Sequence, residues 1–123
     1  AVLLRLKHSL QALALPAESQ LDLIPDFTAK ADALALEYAH WLECALGNYP
    51  GEFSSEQREI LKRVDTLLES MSGSTNRELW NDEAVRYSAE WSRVREASES
   101  ALNVMGWEME IPPSHDDEFV PGG

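Results

Sequence analysis

Residues 80–105 read WNDEAVRYSAEWSRVREASESALNVM, with apolar or small residues at Trp80, Ala84, Tyr87, Trp91, Val94, Ser98, Ala101 and Met105. The steps between them alternate four and three along the chain. At that spacing a helix keeps one stripe turned toward neighbours lying almost parallel to it. The seam predicts an all-α fold, an antiparallel four-helix bundle-like domain with a long C-terminal helix. Thr75 with Glu78 has the pattern of a capping box, and Asn81 followed by Asp82 and Glu83 marks a second start, with Trp80 stapled to Val85. The expectation is a short helical lead-in, then one continuous helix to Met105, with Gly106 as its stop. At 1.5 Å per residue that helix would be about 40 Å long.

Working outward, Leu3, Leu6, Leu10 and Leu13 repeat at helical spacing, Arg5, Lys7 and His8 take the other side, and Pro16 ends the run. Residues 17–24, between Pro16 and Pro25, read as a connector with one short helical turn and Leu21 and Ile24 inward. A second helix is expected over 27–46, capped by Asp26 or Thr28 and closed by Gly47. At 100° per residue, Ala31, Leu34, Tyr38, Trp41, Leu42, Ala45 and Leu46 share one broad arc. Asp32, Leu36, Glu37, His40, Glu43 and Cys44 share the other. After the turn-rich GNYPGEF stretch, a third helix is expected over 55–71, with Ser54 and Gln57 as its capping box. Its seam is Ile60, Val64, Leu67 and Met71, flanked by Leu61 and Leu68. Beyond Gly106, Trp107, Met109 and Ile111 alternate with Glu108 and Glu110, which predicts an extended piece laid on the bundle. Residues 1–111 thus read as one helical domain, and 112–123, with Asp116, Asp117 and Glu118, as a flexible acidic tail.

The chain has 123 residues, 44% apolar and 26% charged, enough for a single domain with a real core. Its net charge is −12, concentrated in the first half and the tail. That charge repels nucleic acid and anionic membranes and favours basic partners or cations. Cys44 is the one cysteine, so no intrachain disulfide forms, which suits a reducing, cytoplasmic setting. No apolar run reaches a membrane-spanning length. Arg5, Lys7 and His8 interrupt the one stretch near the N-terminus that looks like a signal segment.

Three groups of residues suggest chemistry. Glu37, His40 and Cys44 fall one turn apart on one helix face, and Glu-x-x-His is half the ligand set of a carboxylate-bridged di-iron bundle. The chain holds no second Glu-x-x-His, and the face lies opposite the apolar arc, so a closed metal site would need a two-fold dimer. Glu56, Glu59, Asp82 and Glu83 are candidates for holding Mg²⁺ in phosphate chemistry, although the paired acidic motifs of helical pyrophosphohydrolases are missing. Cys44 sits among carboxylates, a setting that works against nucleophilic catalysis. Trp41, Trp80 and Trp91 read as core. Tyr49, in a turn, and Trp107, after a helix stop, read as aromatic anchors for a partner.

The sequence therefore favours a non-catalytic acidic binding module, of the immunity-inhibitor or adaptor kind, that docks a basic protein partner through Glu37, His40, Glu43, Tyr49 and Trp107. No catalytic residue, metal or cofactor is assigned. The alternatives are a metal-dependent enzyme using one of the acidic groups, and a self-assembling subunit. A homodimer is suggested by the leucine seam of residues 1–15, which needs something to cover it, and by the length expected for the last helix.

Overall fold

Leucines at helical spacing are stable only where their stripe is covered, and here the chain covers it itself. In a computed structural model, which describes residues 2–24 and 29–113, Leu6, Leu10 and Leu13 are fully buried. The described residues form α1 (Val2–Ala14), α2 (Ala17–Leu23), α3 (Lys30–Asn48), α4 (Ser55–Ser70), α5 (Asp82–Tyr87) and α6 (Ala89–Met105). Short 3₁₀ turns lie at Pro50–Glu52 and Ser74–Leu79, and no strand occurs among the described residues. The fold is all-α, as expected. The long helices close a ring of neighbours: α1 touches α3 and α6, α6 touches α4, and α4 touches α3. The α1 seam that suggested a homodimer is thus filled from within the chain.

Several helix ends follow from local chemistry. The Ser54 hydroxyl accepts from the Gln57 N–H at 3.1 Å, and the Gln57 side chain accepts from the Ser54 N–H at 2.9 Å, completing the expected capping box of α4. Asn81 caps α5 by accepting from the Ala84 N–H at 2.8 Å. Gly106 ends α6 at φ 74°, a left-handed conformation that only glycine adopts without strain. With it, the Trp107 N–H reaches back to the Leu102 carbonyl at 3.0 Å. The start of α3 differs from expectation. Its first helical residue is Lys30 and its cap position, Ala29, has no side-chain acceptor to offer, while Asp26 and Thr28 lie outside the described residues. Its end differs too. Gly47 does not stop the helix, which runs on to Asn48, and the Tyr49 N–H closes it on the Ala45 carbonyl at 2.8 Å.

The continuous C-terminal helix is not found. Ser88 adopts an extended conformation (φ −78°, ψ 146°) and its hydroxyl accepts from the Trp91 N–H at 3.1 Å. The serine therefore acts as the N-cap of a new helix, not as an interior residue of a long one. This break re-phases α5 against α6. Trp91, Val94, Ser98 and Ala101 hold their seam positions and are sealed, whereas Tyr87 is 79% exposed and Val85 is buried in its stead. At 17 residues, α6 is about 25 Å long and shorter than α3. The lead-in is the 3₁₀ turn, and Trp80 packs edge-on against Trp91 with ring centroids 5.6 Å apart.

Polar groups inside this core all find partners; among the described residues no buried side-chain nitrogen or oxygen is left unsatisfied. Gln20 shows how. Pro16 ends α1, leaving carbonyls of its last turn without helical donors. Gln20, fully buried on α2, donates its amide to the Ala12 and Leu13 carbonyls at 3.1 and 2.9 Å. Its own oxygen accepts from Arg95 of α6 at 3.1 Å, and Arg95 also donates to the Val85 carbonyl at 2.8 Å. One side chain thus ties α1, α2 and α6 together. Burial lowers the Arg95 pKa from its ordinary value.

The segment after α6 runs back across α1, where Gln11 donates to the Glu108 carbonyl at 2.8 Å. Trp107 is half-buried against the core, but Met109 and Ile111 are exposed, and the buried residue of this stretch is Pro112. The period-two pattern does not lay all three apolar residues on the bundle. A single backbone tether after a helix stop does not hold an extended segment in strand-like register. The acidic tail from residue 114 onward lies outside the described residues.

Candidate functional site

Helix α3 has two working faces beside its core stripe, and they differ in what happens to their charges. Toward α1, the Glu37 carboxylate accepts from the Trp41 indole N–H at 2.8 Å, and the Arg5 guanidinium lies 5.9 Å from the centre of the Trp41 ring. Trp41 is half-buried there, not sealed. Glu37, Arg5 and His8, with Pro112 and Pro113, wall a cavity of about 20 Å³, room for about one water.

Toward α4 the arrangement is open. The two helices meet at few points, although the Tyr38 hydroxyl crosses beneath the gap to donate to the Leu61 carbonyl at 2.6 Å. Burial, and then the charge of Asp65, raise the Tyr38 pKa well above its ordinary value, so the hydroxyl stays a donor. Above this pin lies a groove. One end, about 350 Å³, has Ala35, Leu36 and Ala39 of α3 facing Leu68 of α4, with Trp80 at its limit. It continues as a second hollow of about 410 Å³, where Ala39, Leu42 and Leu46 face Lys62 and Thr66. Rising residue numbers on α3 meet falling numbers on α4, so the two walls run antiparallel. From Asp32 to Leu46 the groove is about 20 Å long.

Its rims are acidic: Asp32 and Glu43 on α3, Asp65 and Glu69 on α4. None of these four carboxylates has an ion pair or side-chain hydrogen bond among the described residues. Burial, and secondarily the neighbouring Glu69, raise the Asp65 pKa from its ordinary value, as fits a carboxylate partly out of water beside a like charge. The floor is apolar, and Leu36 stands 67% exposed at the edge. The chemistry on offer is recognition: an oily trough with negative edges.

Of the residues singled out from sequence, Glu43 rims this groove, His40 is exposed, and Glu37 faces α1 with its carboxylate engaged. Tyr49 caps the end of α3, 43% exposed, and Trp107 sits past the end of α6, half-buried. The five do not line one pocket. The metal alternatives find no support either: among the described residues no three His, Cys, Asp or Glu side chains come together to hold an ion. Within the first of them, Glu37, His40 and Cys44, the Cys44 thiol lies 3.9 Å from His40 Nε2, and Glu37 turns to Trp41. Nor do Glu56 and Glu59 converge with Asp82 and Glu83. The sequence reading missed Asp32, Asp65 and Glu69 as a group. One signal was legible, the lone Leu36 on an otherwise polar arc. Comparison with known families, curated proteins and solved structures returns no match for the chain.

Proposed function

We propose that this protein is a non-catalytic binding module that docks a basic protein partner, as an immunity-type inhibitor or an adaptor does. The observation that carries the reading is a set of carboxylates, Asp32, Glu43, Asp65 and Glu69, that line an apolar trough and have no ion pair among the described residues. A net charge of −12 adds long-range attraction for cationic surfaces and speeds their encounter. Carboxylates that have no ion pair among the described residues retain that attraction, because no intramolecular pair has to be broken first. A cytoplasmic setting goes with the proposal, supported by the free thiol of Cys44. No helix among the described residues is long and apolar enough to cross a membrane.

The test is capture on the immobilised protein from a lysate of its source, at about 0.05 M and about 0.5 M salt, with the isoelectric points of the retained proteins as readout. Basic proteins are expected, released by salt, and lost when Glu43, Asp65 and Glu69 are replaced together by their amides. Retention of neutral or acidic proteins, indifferent to salt and to those replacements, overturns the reading.

A further inference from the structure

We infer that the α3–α4 groove takes a cationic amphipathic helix of about four turns, presented by the partner. This rests on the basic-partner reading and deepens it by naming the shape of what binds and the place where it binds. Length, section and charge each narrow the occupant. A trough about 20 Å long matches roughly fourteen helical residues at 1.5 Å each. Its floor, with Leu42, Leu46 and Leu68, and Leu36 at its edge, asks for an apolar stripe, and Ala35 and Ala39, one turn apart, let a backbone approach closely. Its two acidic rims lie on either side of that floor, so the occupant must carry cations flanking the stripe. A helix with leucine-like residues along one face and lysine or arginine beside them meets all three conditions at once.

Charge also argues against the other occupants. A second copy would bring Asp32 and Glu43 against Asp65 and Glu69, four carboxylates with Lys62 as the one cation among the described lining residues. The chain's own residues 114–123 carry Asp116, Asp117 and Glu118 and neither lysine nor arginine, so the same repulsion applies. An extended basic peptide would satisfy the rims but leave the trough unfilled, since its side chains alternate between two faces.

The probe is a labelled synthetic peptide of about 15 residues, helical, with a leucine stripe flanked by lysines. Two controls accompany it: a scramble of identical composition that breaks the stripe, and a version with glutamate for lysine. Each is titrated by fluorescence anisotropy against the full chain at about 0.05 M and about 0.3 M salt. The striped lysine peptide is expected to bind at least about tenfold more tightly than its scramble. Ala39→Trp, which fills the trough, and Leu36→Lys, which places a cation on its edge, should each weaken it about tenfold or more. Leu36 is exposed, so the second variant stays informative if the first does not fold, with circular dichroism as the check. Equal binding of stripe and scramble, or unaltered binding by Leu36→Lys, overturns the groove assignment. If both lysine peptides then still bind in a salt-sensitive way, the basic-partner reading survives without it. If neither lysine peptide outbinds the glutamate peptide at low salt, both fail together.

Discussion

The seam between α1 and α6 and the seam between α3 and α4 are made from the same material, amphipathic helices of similar length, and they end up opposite in character. Where α1 and α6 meet, the helices pack along much of their length, and the polar groups between them are consumed internally. Gln20 takes two carbonyls and Arg95, and the Ser98 hydroxyl turns to its own helix at the Val94 carbonyl. Where α3 and α4 meet, the Tyr38 hydroxyl bridges the gap, and the space above it stays open, rimmed by carboxylates with no ion pair among the described residues. The first arrangement is spent on stability. In the second, charge and apolar surface that could have been satisfied within the fold are left facing outward, which is the form a recognition surface takes.

The contrast can be broken most forcefully at Trp91, which is fully buried and donates its indole N–H to the Leu79 carbonyl at 2.7 Å. Trp91→Ala should lower unfolding free energy by about 3–5 kcal/mol, read from urea titration, and loss of less than about 1 kcal/mol would mean the sealed seam is not sealed. Next comes Gln20→Leu, which keeps the volume and removes the hydrogen bonds. It strands two helix-end carbonyls and leaves Arg95 short of an acceptor, for an expected loss of about 2 kcal/mol. Ser88→Ala removes the cap of α6 and should cost about 1 kcal/mol. If it costs nothing, α5 and α6 are free to merge into the single long helix that the seam pattern suggested.

The open side should respond weakly, and with the opposite sign. Asp65 has its pKa raised in the folded protein, so the folded state holds that proton more tightly than the unfolded chain does. Above the raised pKa the ionised carboxylate is therefore a small liability, and it fades as pH falls through that value toward the ordinary 3.8. Asp65→Asn should match or exceed the parent in stability at neutral pH, by no more than about 0.5 kcal/mol, and the advantage should vanish under acid. Paired melts at neutral and acidic pH decide it. A clear loss at neutral pH would show that Asp65 is paired within the fold, and would remove it from the proposed docking groove.

Much of the fold was legible in local pattern. The bounds of α1, the capping box of α4, the start of α5 at Asn81 and the stop at Gly106 were each readable from a few neighbouring residues, because each depends on hydrogen bonds made within one or two turns. The break at Ser88 was less visible, since a serine suits a helix interior on a heptad grid as well as an N-cap, and its choice depends on where Trp91 and Val85 must pack. The candidate site was legible only in part. Glu43 and Leu36 could be placed on the outer arc of α3, but that Asp65 and Glu69 face them from α4 follows from which helices become neighbours.

What the order of residues determined alone was the all-α character, the positions of most helix ends and the net acidity. These rest on backbone hydrogen bonding, side-chain periodicity and a sum of charges, none of which needs a distant residue. The three-dimensional packing decided which seams close and which one gapes, and so which carboxylates are neutralised within the fold and which remain to attract something else. That choice comes from burying the largest apolar area at once, and it is made by all the helices together.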